Sequence, residues 1–280
     1  MASMRDENVS AATTEEQVER GVLNGQSKGS NDMDSSMNSE VKGAQRLARI
    51  AGLLYLLIAV FGGFAEGFVY PKMYVAGDAA ATTANVVANP GLVRLGVFSD
   101  LLDQTLFVFL VLTLYLLLQH VNKGVARAMV VLVALAAGIE SLNAVFEFAG
   151  LRVATGAVNL SSLGAAGSNS IVLLLLDTQH YGLLIAQIFF GLWLIPLGYL
   201  AYQSRGMFPK WLGILLIVGS VCYLVDVLAA YLLPDFGQTI HTFVVIPSAI
   251  AEISMVLYLL VIGVRTVKIR KPDEHVLAAE

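Results

Sequence analysis

Four carboxylic acids stand inside long apolar runs: Asp103, Glu140, Asp226 and Glu252. An ionisable side chain at the centre of a bilayer costs about 3 kcal/mol on insertion scales, so it needs a partner or a task. Polar neighbours recur at helical spacing, with Asp100, Asp103 and Gln104 on one face, Glu140, Asn143 and Glu147 on a second, and His180 and Gln187 two turns apart on a third. No lysine or arginine falls at the same depth, and the nearest, Arg94 and Arg152, sit at the edge within reach of Asp100 or Glu147. Acids without a cationic partner in a low dielectric favour the protonated form. The chemistry open to Asp100, Asp103, Glu140, Asn143, Asp226 and Glu252 is therefore a pocket that binds or moves a proton, a small cation or a cationic solute. The structural reading competes with it: protonated carboxyls and amides bonding between helices contribute about 0.6 kcal/mol each.

Other chemistries find less support. His180 and His241 lie near one edge with Glu147 at a comparable depth, but there is no H-E-x-x-H and no cysteine pair, so neither a metal nor a cofactor is expected. Cys222 is the single cysteine and cannot form an intrachain disulfide. Ser99, Ser141 and Ser248 stand outside any G-x-S-x-G, which leaves a membrane-embedded lipid hydrolase as an alternative without assigned catalytic residues. A structural or partner-binding protein is the second alternative. No basic patch points to nucleic acid.

The elements that must position these residues follow from composition. Of 280 residues, 57% are hydrophobic and 14% charged, against about 25% charged in an ordinary globular chain. A hydrocarbon layer about 30 Å thick is crossed by about 20 helical residues, and six runs are long enough: about 46–70, 92–119, 125–151, 179–202, 210–233 and 242–264. The expected fold is all-α, a six-helix transmembrane bundle over 44–268. Turn-forming residues separate the runs, among them Asn89-Pro90-Gly91, Asn122-Lys123-Gly124, Arg205-Gly206 and Pro234-Asp235. Pro196 and Pro247 fall within spans, where kinks are expected. Residues 78–89 predict a short surface helix capped by Asp78. The apolar stretch 171–176 is too short to span and either extends the fourth helix, lies on the membrane surface or forms a re-entrant turn.

Lys42, Arg46, Arg49, Lys123, Arg127, Arg205, Lys210, Arg265, Lys268, Arg270 and Lys271 gather on one side, against Lys72, Arg94 and Arg152 on the other. The positive-inside rule places the richer side, and both termini, in the cytoplasm. Tyr199, Tyr202 and Trp211 suit the inner interface, and Tyr70, Tyr74 and Tyr231 the outer one. The first apolar run starts too far from Met1 for a cleaved signal peptide. Residues 1–43 hold eight acids and four bases, which accounts for the net charge of -4, and predict a disordered polar cytoplasmic tail; 269–280 are expected to be a cytoplasmic C-terminal tail. The pairs Gly63 with Gly67 and Ala134 with Gly138 suit close helix approach, with homodimerisation as the functional alternative.

These segments resemble a bacterial family of multi-span membrane proteins, domain-of-unknown-function family 4386. The likeness rests on Arg49 to Tyr55, on Gly77, Asp78, Thr82, Asn85 and Arg94, and on Ser99 to Asp103. It continues at Phe190 to Leu192, Gly198 to Leu200, Ser204, Pro209 to Gly213 and Tyr223 to Asp226. The resemblance implies a fold, a bacterial plasma membrane location and no assigned activity. It draws attention to Asp78, Asn85, Arg94, Asp100 and Asp226, with the first three as candidates on the outer face.

Overall fold

The computed structural model describes residues 39–265, so most of the N-terminal tail and all of 269–280 lie outside the described residues. Among the described residues, seven helices succeed one another: α1 (Ser39–Met73), α2 (Ala79–Ala88), α3 (Pro90–Leu118), α4 (Lys123–Ala154), α5 (Gly164–Gln203), α6 (Lys210–Leu232) and α7 (Pro234–Leu257). All but α2 are long and apolar enough to cross a membrane, and among the described residues there is no strand. α1 already begins at Ser39, so the last residues assigned to the polar tail are helical.

Local chemistry sets the ends. Asp78 caps α2 by accepting the Ala81 amide at 2.9 Å, and Asn122 caps α4 through the Val125 amide at 3.1 Å. Pro90, Pro234 and Lys210 open their helices, the first two at positions whose amide needs no helical partner. Between α5 and α6 the chain reverses through Arg205 (φ 49°) and Gly206 (φ 95°). The Ser204 hydroxyl holds this turn, donating to Ala201 O at 2.6 Å and accepting from the Phe208 amide at 3.1 Å.

The stretch 171–176 extends the fourth span. α5 has 40 residues, about 60 Å at 1.5 Å each, twice the hydrocarbon thickness. Its projecting part meets α2, where Val172 and Leu176 join Val69, Met73, Val86, Val93 and Leu151 in one buried cluster. α5 and α7 run on through Pro196 and Pro247. Large apolar side chains cover the exterior, from Leu53 and Phe98 to Leu174, Phe243 and Val261, as lipid contact requires and water would not allow over so wide a surface.

Consecutive helices from α3 to α7 pack side by side. Ser220 donates to Gly191 O at 2.7 Å and Ser248 to Gly219 O at 2.8 Å, tying α6 to α5 and α7 to α6. A Cβ on Gly198 would lie 2.7 Å from Gly213 O, and one on Gly213 2.6 Å from Gly198 O, so this pair sets the α5–α6 approach. A Cβ on Gly63, Gly67 or Gly138 would meet no other atom within 4 Å, so the expected close helix approach within the chain does not occur at these glycines, and Gly63 lines a cavity instead.

α1 lies against α3, α5 and α7. Gly52 approaches the backbone of Leu260, Tyr55 meets Trp193 at 5.7 Å, and Gly62 faces Asp103. Two π-helical turns interrupt the regular pattern, Ala65–Val69 in α1 and Tyr258–Ile262 after α7. Each inserts a residue and shifts the rotational phase of the side chains beyond it.

Candidate functional site

Polar faces of α3 and α4 turn inward because lipid offers neither water nor a hydrogen-bond partner. Asp100 and Asp103 are 8% exposed, Gln104 5% and Glu140 4%. With Glu66 of α1, Gln187 and Phe190 of α5 and Tyr223 of α6, they line a cavity of about 200 Å³. A second cavity of about 210 Å³ adjoins it across Gly62, Asp103, Phe190 and Tyr223, and extends to Tyr55, Phe107, Trp193 and Glu252. A third of about 480 Å³ meets the first at Leu183 and Gln187 and is lined further by Tyr74, His180, Asp226 and His241. The three thus run in series from the α2 end toward the middle of the bundle. Leu110 and Leu114 of α3, Met129 and Val133 of α4, and Leu194 and Leu197 of α5 are fully buried and apolar, and none lines the three cavities. A cavity of about 310 Å³ near Arg205 shares no lining residue with the series.

Hydrogen bonds organise the acids. Gln104 Nε2 donates to Asp103 Oδ2 at 2.9 Å, Asn143 Nδ2 to Glu140 Oε1 at 3.2 Å, and Tyr55 Oη to Glu252 Oε2 at 2.7 Å. Gln179 Nε2 reaches Glu66 Oε1 at 3.4 Å. Asp103 Oδ1 and Gln104 Oε1 are buried with no partner. A buried polar atom left so costs about 1–3 kcal/mol, so its survival asks for a ligand or a role. No lysine or arginine lines any of the three cavities, nor does a serine, threonine or cysteine. Among the described residues no three His, Cys, Asp or Glu side chains are grouped so as to hold a metal ion.

Of the residues singled out from sequence, Asp100, Asp103 and Glu140 share the first cavity, and Glu252 joins through the second. Asn143 stands behind Glu140 and lines neither. Asp226 lines the third cavity and neither of the other two, and lies 2.9 Å from His241 Nδ1. Three residues along a helix bring about 300° of turn, so Asp226 points about 60° away from Tyr223, which does face the acids. Asp78, Asn85 and Arg94 line none of the cavities described. Asp78 caps α2, Asn85 Nδ2 reaches Met73 O at 3.5 Å, and Arg94 is exposed. Asp78 and Asn85 thus serve the connection after α1. Arg94 and Arg152 are both exposed, without an ion pair to Asp100 or Glu147.

Sequence reasoning missed Glu66, which lies near the end of its span and within the π turn. Its signal was the spacing of Tyr55, Ala59, Gly62 and Glu66, one helical face carrying a phenol, two small residues and an acid. The aromatic wall was missed as well, since aromatic side chains at helical spacing read as ordinary core. Tyr70 and Tyr74, expected at the outer interface, also stack on His180 at 6.0 and 5.6 Å. Tyr74 Oη donates to Asp177 Oδ1 at 2.5 Å; burial, then this bond, push its phenol well above the ordinary range.

A family model described as "Domain of unknown function (DUF4386)" matches residues 50–263. An "Uncharacterized protein" of Archaeoglobus fulgidus is 44% identical over 55 residues, 19% of this chain and 33% of that protein, so the chain spans about a third of the relative's length. No solved structure matches.

Proposed function

From the premise that the chain belongs to the DUF4386 family, whose description assigns no activity, we propose that it takes a small cation or proton from the outer face into an acidic intramembrane cavity and moves it across the bilayer. The carrying observation is the first cavity: Glu66, Asp100, Asp103 and Glu140 on three helices, no basic residue among the lining, and Asp103 Oδ1 without a partner. A negatively disposed site in a low dielectric attracts cations and repels anions. The larger count of Lys and Arg at the Lys123 and Arg205 end supports a cytoplasmic assignment for that end, which leaves the third cavity at the outer face. The fully buried apolar residues of α3, α4 and α5 that line no cavity fit a form open to one side only. A bacterial plasma membrane is the location this reading assumes.

Proteoliposomes of the full chain test it, with an imposed proton, sodium or small organic ammonium gradient as the driving force and a membrane-potential dye as the readout. The expected result is gradient-dependent flux that Asp103→Asn lowers at least about tenfold, a transition-state or binding loss of about 1.4 kcal/mol. Flux equal to that of protein-free vesicles, or unaltered in Asp103→Asn, overturns the proposal.

A further inference from the structure

The second cavity differs from the first in its walls. Tyr55, Phe107, Phe190, Trp193 and Tyr223 surround it, and only two acids reach it, Asp103 and Glu252. The rings brace one another: Phe107 meets Trp193 edge-on at 5.0 Å, Phe107 lies 5.7 Å from Phe190, and Tyr55 lies 5.7 Å from Trp193. Tyr55 also holds Glu252 through its hydroxyl at 2.7 Å. Asp103, 8% exposed, lines this space while its Oδ1 has no partner.

An inorganic cation needs several oxygen ligands converging at 2.0–2.6 Å, as about six do around magnesium or calcium, and two acids among five rings offer no such shell. Electron-rich ring faces compensate a different charge, the diffuse positive charge of a substituted ammonium, whose weak hydration makes its transfer from water less costly. At about 210 Å³ the cavity lies below the range of drug-sized sites, about 300–1,000 Å³. It suits a compact ion.

We propose that the chamber between Asp103 and Glu252 is a binding site for a small organic ammonium ion of about choline size, and that this is the class of cation the protein takes up. The inference rests on the acidic cavity being a cation site, and it names the solute class. The ligand enters through the third and first cavities, passing Gln187 and then Asp103, and settles with its substituted nitrogen against Trp193, Phe190 and Tyr223. Glu252 and Asp103 balance its charge from two sides.

The protein carries its own reporter. Trp193 and Trp211 are the two tryptophans; Trp193 is 2% exposed and in the chamber wall, while Trp211 is 55% exposed and lines none of the three cavities. In detergent-solubilised full-length Trp211→Phe, choline chloride should change Trp193 emission saturably at constant ionic strength. The uncharged carbon isostere 3,3-dimethyl-1-butanol should bind at least about tenfold more weakly, since cation–π attraction needs the charge. Glu252→Gln, which keeps an acceptor for Tyr55, and Phe190→Leu should each weaken choline by about tenfold.

The isostere comparison uses the native chamber and decides the matter even where a variant fails to fold. Equal responses to choline and its isostere overturn the proposal, as does the absence of any choline response. Sodium or proton flux that depends on Asp103, without a choline response, removes the ammonium site and leaves the acidic cavity standing. Loss of both removes the cation reading altogether.

Discussion

Gly182 of α5 sits where the Asn143 carboxamide of α4 crosses it. A Cβ there would fall inside that side chain, 2.6 Å from both Cγ and Nδ2. Asn143 is 4% exposed and holds Glu140 Oε1 at 3.2 Å, so moving its carboxamide off the new Cβ strains or breaks that bond in a closely packed space. Gly182→Ala should therefore cost about 1–3 kcal/mol in overpacking and a further 0.6–1.7 kcal/mol, roughly, for the hydrogen bond. Alanine's better helix propensity offsets about 1 kcal/mol of this, leaving a net loss near 2 kcal/mol. In an Asn143→Ala background the obstruction is gone, and the same change should be neutral or stabilising by up to about 1 kcal/mol. The cycle then yields a coupling of about 2–3 kcal/mol, at the upper end for residues in contact. Equilibrium unfolding of the four proteins in mixed detergent micelles measures it. Additivity within about 0.5 kcal/mol would sink this account, because it would mean the two side chains do not compete for one space.

Three further outcomes are expected. A Cβ on Gly62 reaches the Asp103 carboxyl at 3.4 Å, ordinary contact, so Gly62→Ala should leave flux near native, whereas the extra methyls of Gly62→Val enter the shared wall of the first two cavities and should lower flux at least about fivefold with unchanged folding; equal flux in both variants would contradict this. Ser220→Ala and Ser248→Ala each remove one bond between helices and should lower stability in the same micelle assay by about 0.6 kcal/mol, and by less than about 2 kcal/mol in any case. Asp78→Ala removes the cap of α2; amide exchange over 79–85 should quicken by about fivefold, for a loss near 1 kcal/mol, without change in the six long helices.

The interior polar faces were legible in part. Asp100, Asp103 and Gln104 are all buried, as are Glu140, Asn143 and Glu147, because three- and four-residue spacing fixes a common face whatever the partner. The stretches that carry the family resemblance supply Tyr55, Asp100, Asp103, Phe190 and Tyr223 to the cavities. Glu140 and Glu252 lie outside those stretches, yet they line the same space. Depth along the helix axis says nothing of rotation about that axis, and Asp226 lines the third cavity while Tyr223, one turn away, lines the first two.

Hydrocarbon thickness and the helical repeat are local constraints, and they suffice to count the spans, to place their ends at Pro90, Asn122, Pro209 and Pro234, and to mark each helix's polar face. Which faces meet depends on how every helix is rotated and paired, a property of all contacts at once. Packing brought Tyr55 to Glu252 across 197 positions, and the π turn at Ala65–Val69 lies where Glu66 enters the cavity. It also left Gly63, Gly67 and Gly138 out of close helix contact while bringing Gly198 and Gly213 together. Because each residue advances the helix by about 100°, an added residue or a small rotation moves a side chain from lipid to interior, and only the assembled bundle sets that angle.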